Sequence, residues 1–233
     1  MASIASFHLV RERPWRSAAA MARLGTDRWR LRRVAGLRFW RLLGTGRGDE
    51  TGPSADPRRT ALFAVWDDSA ALDAFVAGSS IAHRWERAEE AWHVRLRGVG
   101  GHGTWRGFDP LDGLERGADD GPIAVITRAD VRLGSTLAFR AAGRPVSDEL
   151  RTAGGLLAVV GIGEAPAGRL GTFSLWRSTA DMRAFAVGMP HHRQVVRRTR
   201  AERWYGEELF ARFEPYGSSG SWDGRDPLTP SSG

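Results

Sequence analysis

Two adjacent histidines, His191 and His192, follow Gly188 and Pro190 at the head of a stretch that reads as a long helix; they are the first candidates for chemistry. A helix N-terminus carries partial positive charge and favours the neutral imidazole, the form that coordinates iron or gives and takes a proton. Arg193, Arg197, Arg198 and Arg200 lie along the same stretch. A guanidinium pairs with carboxylates, including the propionates of a carboxylated macrocycle. The same residues also describe a surface helix start with solvated arginines, so the pattern alone leaves both readings open. His8 alternates with Phe7 and Leu9 on a run of strand length and faces either a cavity or solvent. His93 and His102 fall near strand and loop ends, and Tyr205 and Glu208 sit further along the expected helix.

Other chemistries lack their residues. There is no cysteine, which removes disulfides, thiolate metal sites and cysteine nucleophiles together. No HExxH, phosphate-binding loop or GxSxG elbow occurs, and Gly44-Thr45-Gly46-Arg47-Gly48 lacks the spacing of a nucleotide fingerprint. Ten tryptophans are present, several beside arginines, as in Trp40-Arg41, Trp105-Arg106 and Trp176-Arg177. Such pairs suit the lining of a pocket for a planar, partly acidic ligand, and they equally suit strands with one side chain in and one out.

The elements that must position these residues belong to a 233-residue chain that is 42% hydrophobic, enough for a substantial core. The N-terminus has no signal-peptide pattern and no window is apolar enough to span a bilayer, so a cytoplasmic protein is expected. All 34 basic residues counted as Lys+Arg are arginines, and the net charge is +7. That basicity raises nucleic acid or an anionic membrane as partners. The arginines are spread through the whole chain, so no specific nucleic-acid partner is expected.

The second half of the chain repeats the first. Leu62-Phe63-Ala64-Val65-Trp66 is matched by Thr172-Phe173-Ser174-Leu175-Trp176, each followed by a helix start and a closing glycine, Gly78 or Gly188. Gly103-Thr104-Trp105-Arg106-Gly107 is matched by Gly220-Ser221-Trp222-Asp223-Gly224, and Leu43-Gly44-Thr45-Gly46 by Val160-Gly161-Ile162-Gly163. Colinear anchors of this kind mark an internal duplication.

Each copy reads as β-α-β-β-α-β. Strands are expected at 7–11, 37–43, 61–66 and 93–99, then at 123–127, 156–160, 171–176 and 209–215. Helices are expected at 18–34, after Asp68, and at 80–91 in the first copy. In the second they are expected at 133–150, broken by Gly143 and Pro145, after Ser178, and at 190–208. This order is α+β, two tandem ferredoxin-like modules whose open sheet faces must be buried against one another or closed into a barrel. The modules are placed at 1–111 and 122–217, with a linker at 112–121, a surface loop at 47–58 and a loosely ordered tail at 218–233, from which Trp222, the repeat of Trp105, tucks back. His83 stands near the place equivalent to His192, but the direct counterpart of His192 is Ala82, so one site in the second module is expected.

Gly36-Leu37-Arg38-Phe39-Trp40-Arg41-Leu42-Leu43-Gly44, Phe63-Ala64-Val65-Trp66, Gly161-Ile162-Gly163-Glu164, Phe173-Ser174-Leu175-Trp176 and His192-Arg193-Gln194-Val195-Val196 together resemble the spheroidene monooxygenase family. The resemblance implies an intrachain dimeric α+β barrel and a heme-dependent oxidoreductase that puts a keto oxygen on an acyclic carotenoid. It matches His192 to the iron ligand, with His191 and His8 as further catalytic candidates. Arg193, Arg197 and Trp176 would be heme contacts. A small apolar or aromatic substrate, an electron donor and a monomeric or homodimeric state follow from it. The alternatives are a heme enzyme acting on an N–O substrate such as an aldoxime, and a cofactor-free monooxygenase of the same fold.

Overall fold

The computed structural model describes residues 2–46, 55–131, 149–150, 152–164, 169–188 and 205–229. Along the first half run β1 (Ile4–Arg11), a 3-10 turn at Pro14–Arg16, α1 (Ser17–Leu31), β2 (Leu37–Gly46), β3 (Ala55–Trp66), α2 (Ser69–Gly78), α3 (Ala82–Trp85) and β4 (Glu90–Gly103). The second half has β5 (Ile123–Val131), β6 (Leu156–Glu164), β7 (Arg169–Trp176), α4 (Thr179–Gly188) and β8 (Tyr205–Gly220).

The strands close a barrel in the order β1-β3-β2-β6-β7-β5-β8-β4. Each half keeps the ferredoxin-like order, β4-β1-β3-β2 and β8-β5-β7-β6. The halves join edge to edge, β4 to β8 over a long antiparallel ladder and β2 to β6 through Gly44–Gly163 and Thr45–Ile162. Closure removes the free edges that two separate sheets would expose. The duplication is thus resolved as one barrel.

Strand alternation divides the side chains between two environments. On β1, Ala5, Phe7 and Leu9 point into the barrel, while Ile4 packs outward with Leu62, Trp66, Leu72 and Phe75. The interior is solid: Phe7 and Phe173 stack across it with ring centroids 3.8 Å apart and planes 3° from parallel.

The capping signals are realised. Asp68 accepts from the Ala71 N–H at 2.9 Å and starts α2. Ser178 accepts from the Asp181 N–H at 3.1 Å and donates to its carboxylate at 2.8 Å, starting α4. Each helix then lays one ring on the preceding tryptophan, Phe75 on Trp66 and Phe185 on Trp176. Gly36 and Gly155, with φ of 73° and 84°, turn the chain beneath these helices where a Cβ would strike Ala71 or Asp181.

Several expectations are corrected. The helix expected over 80–91 ends at Trp85, because Glu90 already pairs with Arg11 in the β1–β4 ladder. Within the stretch expected as helix over 190–208, the part from Tyr205 onward is strand; Tyr205 and Glu208 pair with Val131 and Ala129 of β5. Ladder closure overrides local helix propensity in both places. Residues 55–58 belong to β3 and not to a loop, reaching β2 past an irregularity between Gly44 and Thr45. Past Gly217, β8 continues to Gly220 opposite Trp92, and Trp222 is 5% exposed. Trp222 does tuck back; the chain around it is ordered. Most of the interrupted helix expected over 133–150 lies outside the described residues.

Candidate functional site

The repeated Trp-x-Gly anchor builds the same device at both ends of the barrel. Trp105 bridges to Phe108 and Trp222 to Arg225 around two-residue turns. Both central residues have positive φ, 55° at Arg106 and 74° at Gly107, 53° at Asp223 and 86° at Gly224. That is the hairpin turn whose twist matches the strands. The rings then plug the barrel: Trp105 stacks on Phe63 at 5.6 Å, and Trp222 packs on Trp92 at 5.5 Å. One carboxylate holds each turn. Glu207 accepts from the N–H groups of Arg106 and Gly107 and from the Thr104 hydroxyl, while Glu90 accepts from Gly224 N–H and the Ser221 hydroxyl.

The Trp105 end departs from this symmetry. The ladders pair Ile4 with Trp66 and Ile123 with Trp176, so Arg128 occupies the inward place that Leu9 has in the first half. Arg128 is buried and pairs with Glu207 and, at 3.4 Å, with Asp130. Burial would raise the Glu207 carboxyl, but the Gly107 and Arg106 N–H groups, the Thr104 hydroxyl and Arg128 outweigh it and bring it down to about 2. Arg41 lies over the Phe39 ring at 4.2 Å, with Glu164 at 3.9 Å. Its burial pushes it down to about 10; Glu164 opposes that, while Arg106 and Arg128 add to it. Glu164 also accepts from the Trp105 indole at 2.6 Å and from Arg106 at 2.9 Å.

Beside this cluster opens a cleft of about 370 Å³, with Arg28 of α1, Arg32 just after its end and Arg38 of β2 on its walls and Phe39 and Trp40 as apolar lining. Five arginines and one carboxylate line it. Such a recess is suited to an anionic group carried on an apolar body.

The sequence candidates are distributed differently. His191, His192, Arg193 and Arg197 lie outside the described residues. Trp176 is buried beneath α4 and donates to the Ser174 hydroxyl at 3.0 Å. His8 is 3% exposed on the outer face of β1. Its Nδ1 lies 3.0 Å from His93 Nδ1, its Nε2 lies 2.9 Å from Ser6 Oγ, and its ring stacks on Trp85 at 4.6 Å. The Trp66 indole donates to the same Ser6 oxygen at 2.8 Å. Every donor meets an acceptor if Ser6 donates to His8 Nε2 and His8 Nδ1–H donates to His93. Burial, then His93, then Arg95 hold the His8 imidazole well below its ordinary pKa, and burial lowers His93 to about 4. Both rings are neutral at pH 7.

Heme needs an open imidazole nitrogen beside a large apolar space. The cavity at His8 is about 40 Å³, and both of its nitrogens are engaged. His83 and His102 are exposed on the surface. His8 as placed therefore does not fit heme, His93 shares its Nδ1 with His8, and among the described residues no group of three or more His, Asp or Glu could hold a metal ion. Sequence reasoning missed the His8–His93 pairing and the Arg41–Arg128–Glu164 cluster. The signal available was alternation: His8 and His93 both fall on outward positions, and Arg128 falls on an inward one.

No family model matches the chain. Curated relatives do. It is 31% identical to a spheroidene monooxygenase of Cereibacter sphaeroides over 97% of this chain and 69% of that one. It is 33% identical to one of Rhodobacter capsulatus over 82% of this chain and 81% of that one, and 36% identical to one of Rubrivivax gelatinosus over 82% and 73%. Among solved structures, an aldoxime dehydratase superposes with a TM-score of 0.59 at 13% identity, covering 94% of this chain and 81% of that one. A second, in complex with butyraldoxime, gives 0.60 at 10% identity over 92% and 79%. These two likenesses concern the fold.

Proposed function

The chain belongs to the spheroidene monooxygenase family, within the dimeric α+β barrel superfamily, and on that premise we propose that it inserts oxygen into an apolar, carotenoid-like substrate using heme held by His192. Its relatives make it a monooxygenase-like enzyme. The observation that carries the finer reading is elimination: His8 and His93 are bonded to each other and packed under Trp85, and His83 and His102 face solvent. That leaves His192, with His191 beside it, as the candidate ligand; His8 ranks last because Trp85 would have to move. Arg193 and Arg197 would pair with propionates, and Trp176 would form part of the apolar wall behind them. When bound, heme would supply the activation of O2, and the chain would supply a dry, apolar surround that excludes water. A long substrate would lie outside the packed barrel interior, against the outer face of the second-half sheet beside α4.

The test is the absorption spectrum of protein produced with ample heme, together with turnover under labelled O2. A Soret band lost in His192→Ala and kept in His83→Ala, with label in the product, is the expected result. A colourless protein that still oxygenates its substrate would assign the cofactor-free reading, and turnover without O2 would assign N–O chemistry.

A further inference from the structure

We propose that the exposed face of α1 docks the protein on an anionic lipid bilayer, lying in the interface without crossing it. The buried side of α1 is settled: Leu31 packs in the outer core with Trp66, while Leu24 and Asp27 line the small cavity over His8. The opposite side carries Ala18, Met21, Ala22, Gly25 and Trp29 at three- and four-residue spacing, all exposed, with Trp15 leading into it from the preceding turn. Trp15 is 73% exposed and Trp29 57% exposed. Two open indoles, one on the stripe of α1 and one in the turn that leads into it, have no role in the core, and indoles are the side chains that settle at lipid headgroup level.

Charge chooses the occupant. Seven arginines lie between Arg13 and Arg33, and the single acid among them, Asp27, is buried and bonded to Arg84 at 2.6 Å and Arg30 at 3.4 Å. The guanidinium groups of Arg13 and Arg33 lie over the Trp15 and Trp29 rings, at 5.6 and 3.6 Å from the centroids. Apolar rings with flanking arginines and no exposed carboxylate form a surface for anionic lipid. A second copy of this face would set arginine against arginine, so self-association does not cover it. Arg28 and Arg32 also reach the arginine-lined cleft, where neither has a carboxylate partner among the described residues. A headgroup phosphate of a lipid beside the helix would enter there. No helix of the described residues is long and apolar enough to cross a membrane, so the contact is with the surface.

This docking is independent of the reaction proposed above. Its test is sedimentation of the full chain with sucrose-loaded vesicles of phosphatidylcholine alone, or mixed with an equal amount of phosphatidylglycerol. Binding is expected to the mixed vesicles only. It should fall by about fivefold for each arginine lost, so by more than tenfold in Arg28→Glu/Arg32→Glu. Trp15→Ser/Trp29→Ser should also release the protein while its thermal melt stays unchanged, because both rings are exposed. Inorganic phosphate at matched ionic strength should leave binding intact. No binding to mixed vesicles, binding indifferent to the tryptophan pair, or release by phosphate alone would overturn the proposal. So would tight binding to duplex DNA in place of vesicles, which would assign the face to nucleic acid.

Discussion

The Trp105 indole, at the end of the first half, donates a 2.6 Å hydrogen bond to Glu164, the last residue of β6 in the second half. Because β2 and β6 pair at only two positions, this bond and the Glu164 contacts to Arg41 and Arg106 tie the short seam of the barrel. The corresponding ring at the other end, Trp222, packs against Trp92 and Phe173 beside the long β4–β8 ladder. The repeat therefore places the ring, and the departure from the repeat charges its surroundings.

Trp105→Phe keeps the stack on Phe63 but removes the donor, leaving a buried carboxylate oxygen short of a partner. The expected cost is about 1–3 kcal/mol in chemical denaturation. Glu164→Gln keeps an acceptor for the indole and should cost less. In the double variant the two effects should fall short of additivity by about 1 kcal/mol; strict additivity would mean that the bond does not couple the halves.

Gly36 and Gly155 make a second paired test. Alanine at either must adopt a left-handed φ and push into the helix above, so each should lower stability by about 2 kcal/mol or more. Gly78 closes α2 in open space, where an added methyl would have nothing within 4 Å, so Gly78→Ala should be neutral or stabilising by up to about 1 kcal/mol. Equal melting shifts at Gly78 and Gly155 would contradict the positive-φ argument.

The repeat, the β-α-β-β-α-β order and the capping residues were legible because they are local: Asp68 and Ser178 announce their helices within four residues. The lost helix after Trp85 and the strand from Tyr205 were not, because both depend on β1 and β5 offering ladder partners far away in sequence. The same limit hid the candidate site. Arg41, Arg128, Glu164 and Glu207 come from four different strands, and nothing in their neighbours marks them as a cluster. His8 was noticed for its alternation, but its partner is 85 residues away. The proposed ligand, His192, remains the reading of a sequence pattern.

The Glu207 carboxyl gives an acid-side prediction. Its pKa is lowered to about 2, so its contribution is complete above the unfolded value near 4.5 and disappears as pH falls through about 2. Solvent reaches this group, so the contribution is at most about 1 kcal/mol. Glu207→Gln should flatten the stability profile below pH ~4 and loosen the Arg106–Gly107 turn, read as faster amide exchange at those two positions. Unchanged exchange there would show that the carboxylate does not hold the turn.

The buried histidine pair sets the pH dependence at milder acidity. An unfolded histidine binds its proton near pH 6.5, whereas His93 in the fold does so only at about 4, and His8 is also held well below its ordinary value. Between those limits the unfolded chain carries more protons, so stability is complete above about pH 6.5 and is lost as pH falls toward 4. For His93 alone that interval corresponds to about 3 kcal/mol. His93→Gln keeps an acceptor for His8 Nδ1–H and removes the titration. Its urea midpoint should therefore decline less steeply than that of the parent protein across this range, while the two profiles run parallel above it. Identical slopes below pH ~6.5 would mean that the imidazoles take up protons without leaving their places beneath Trp85.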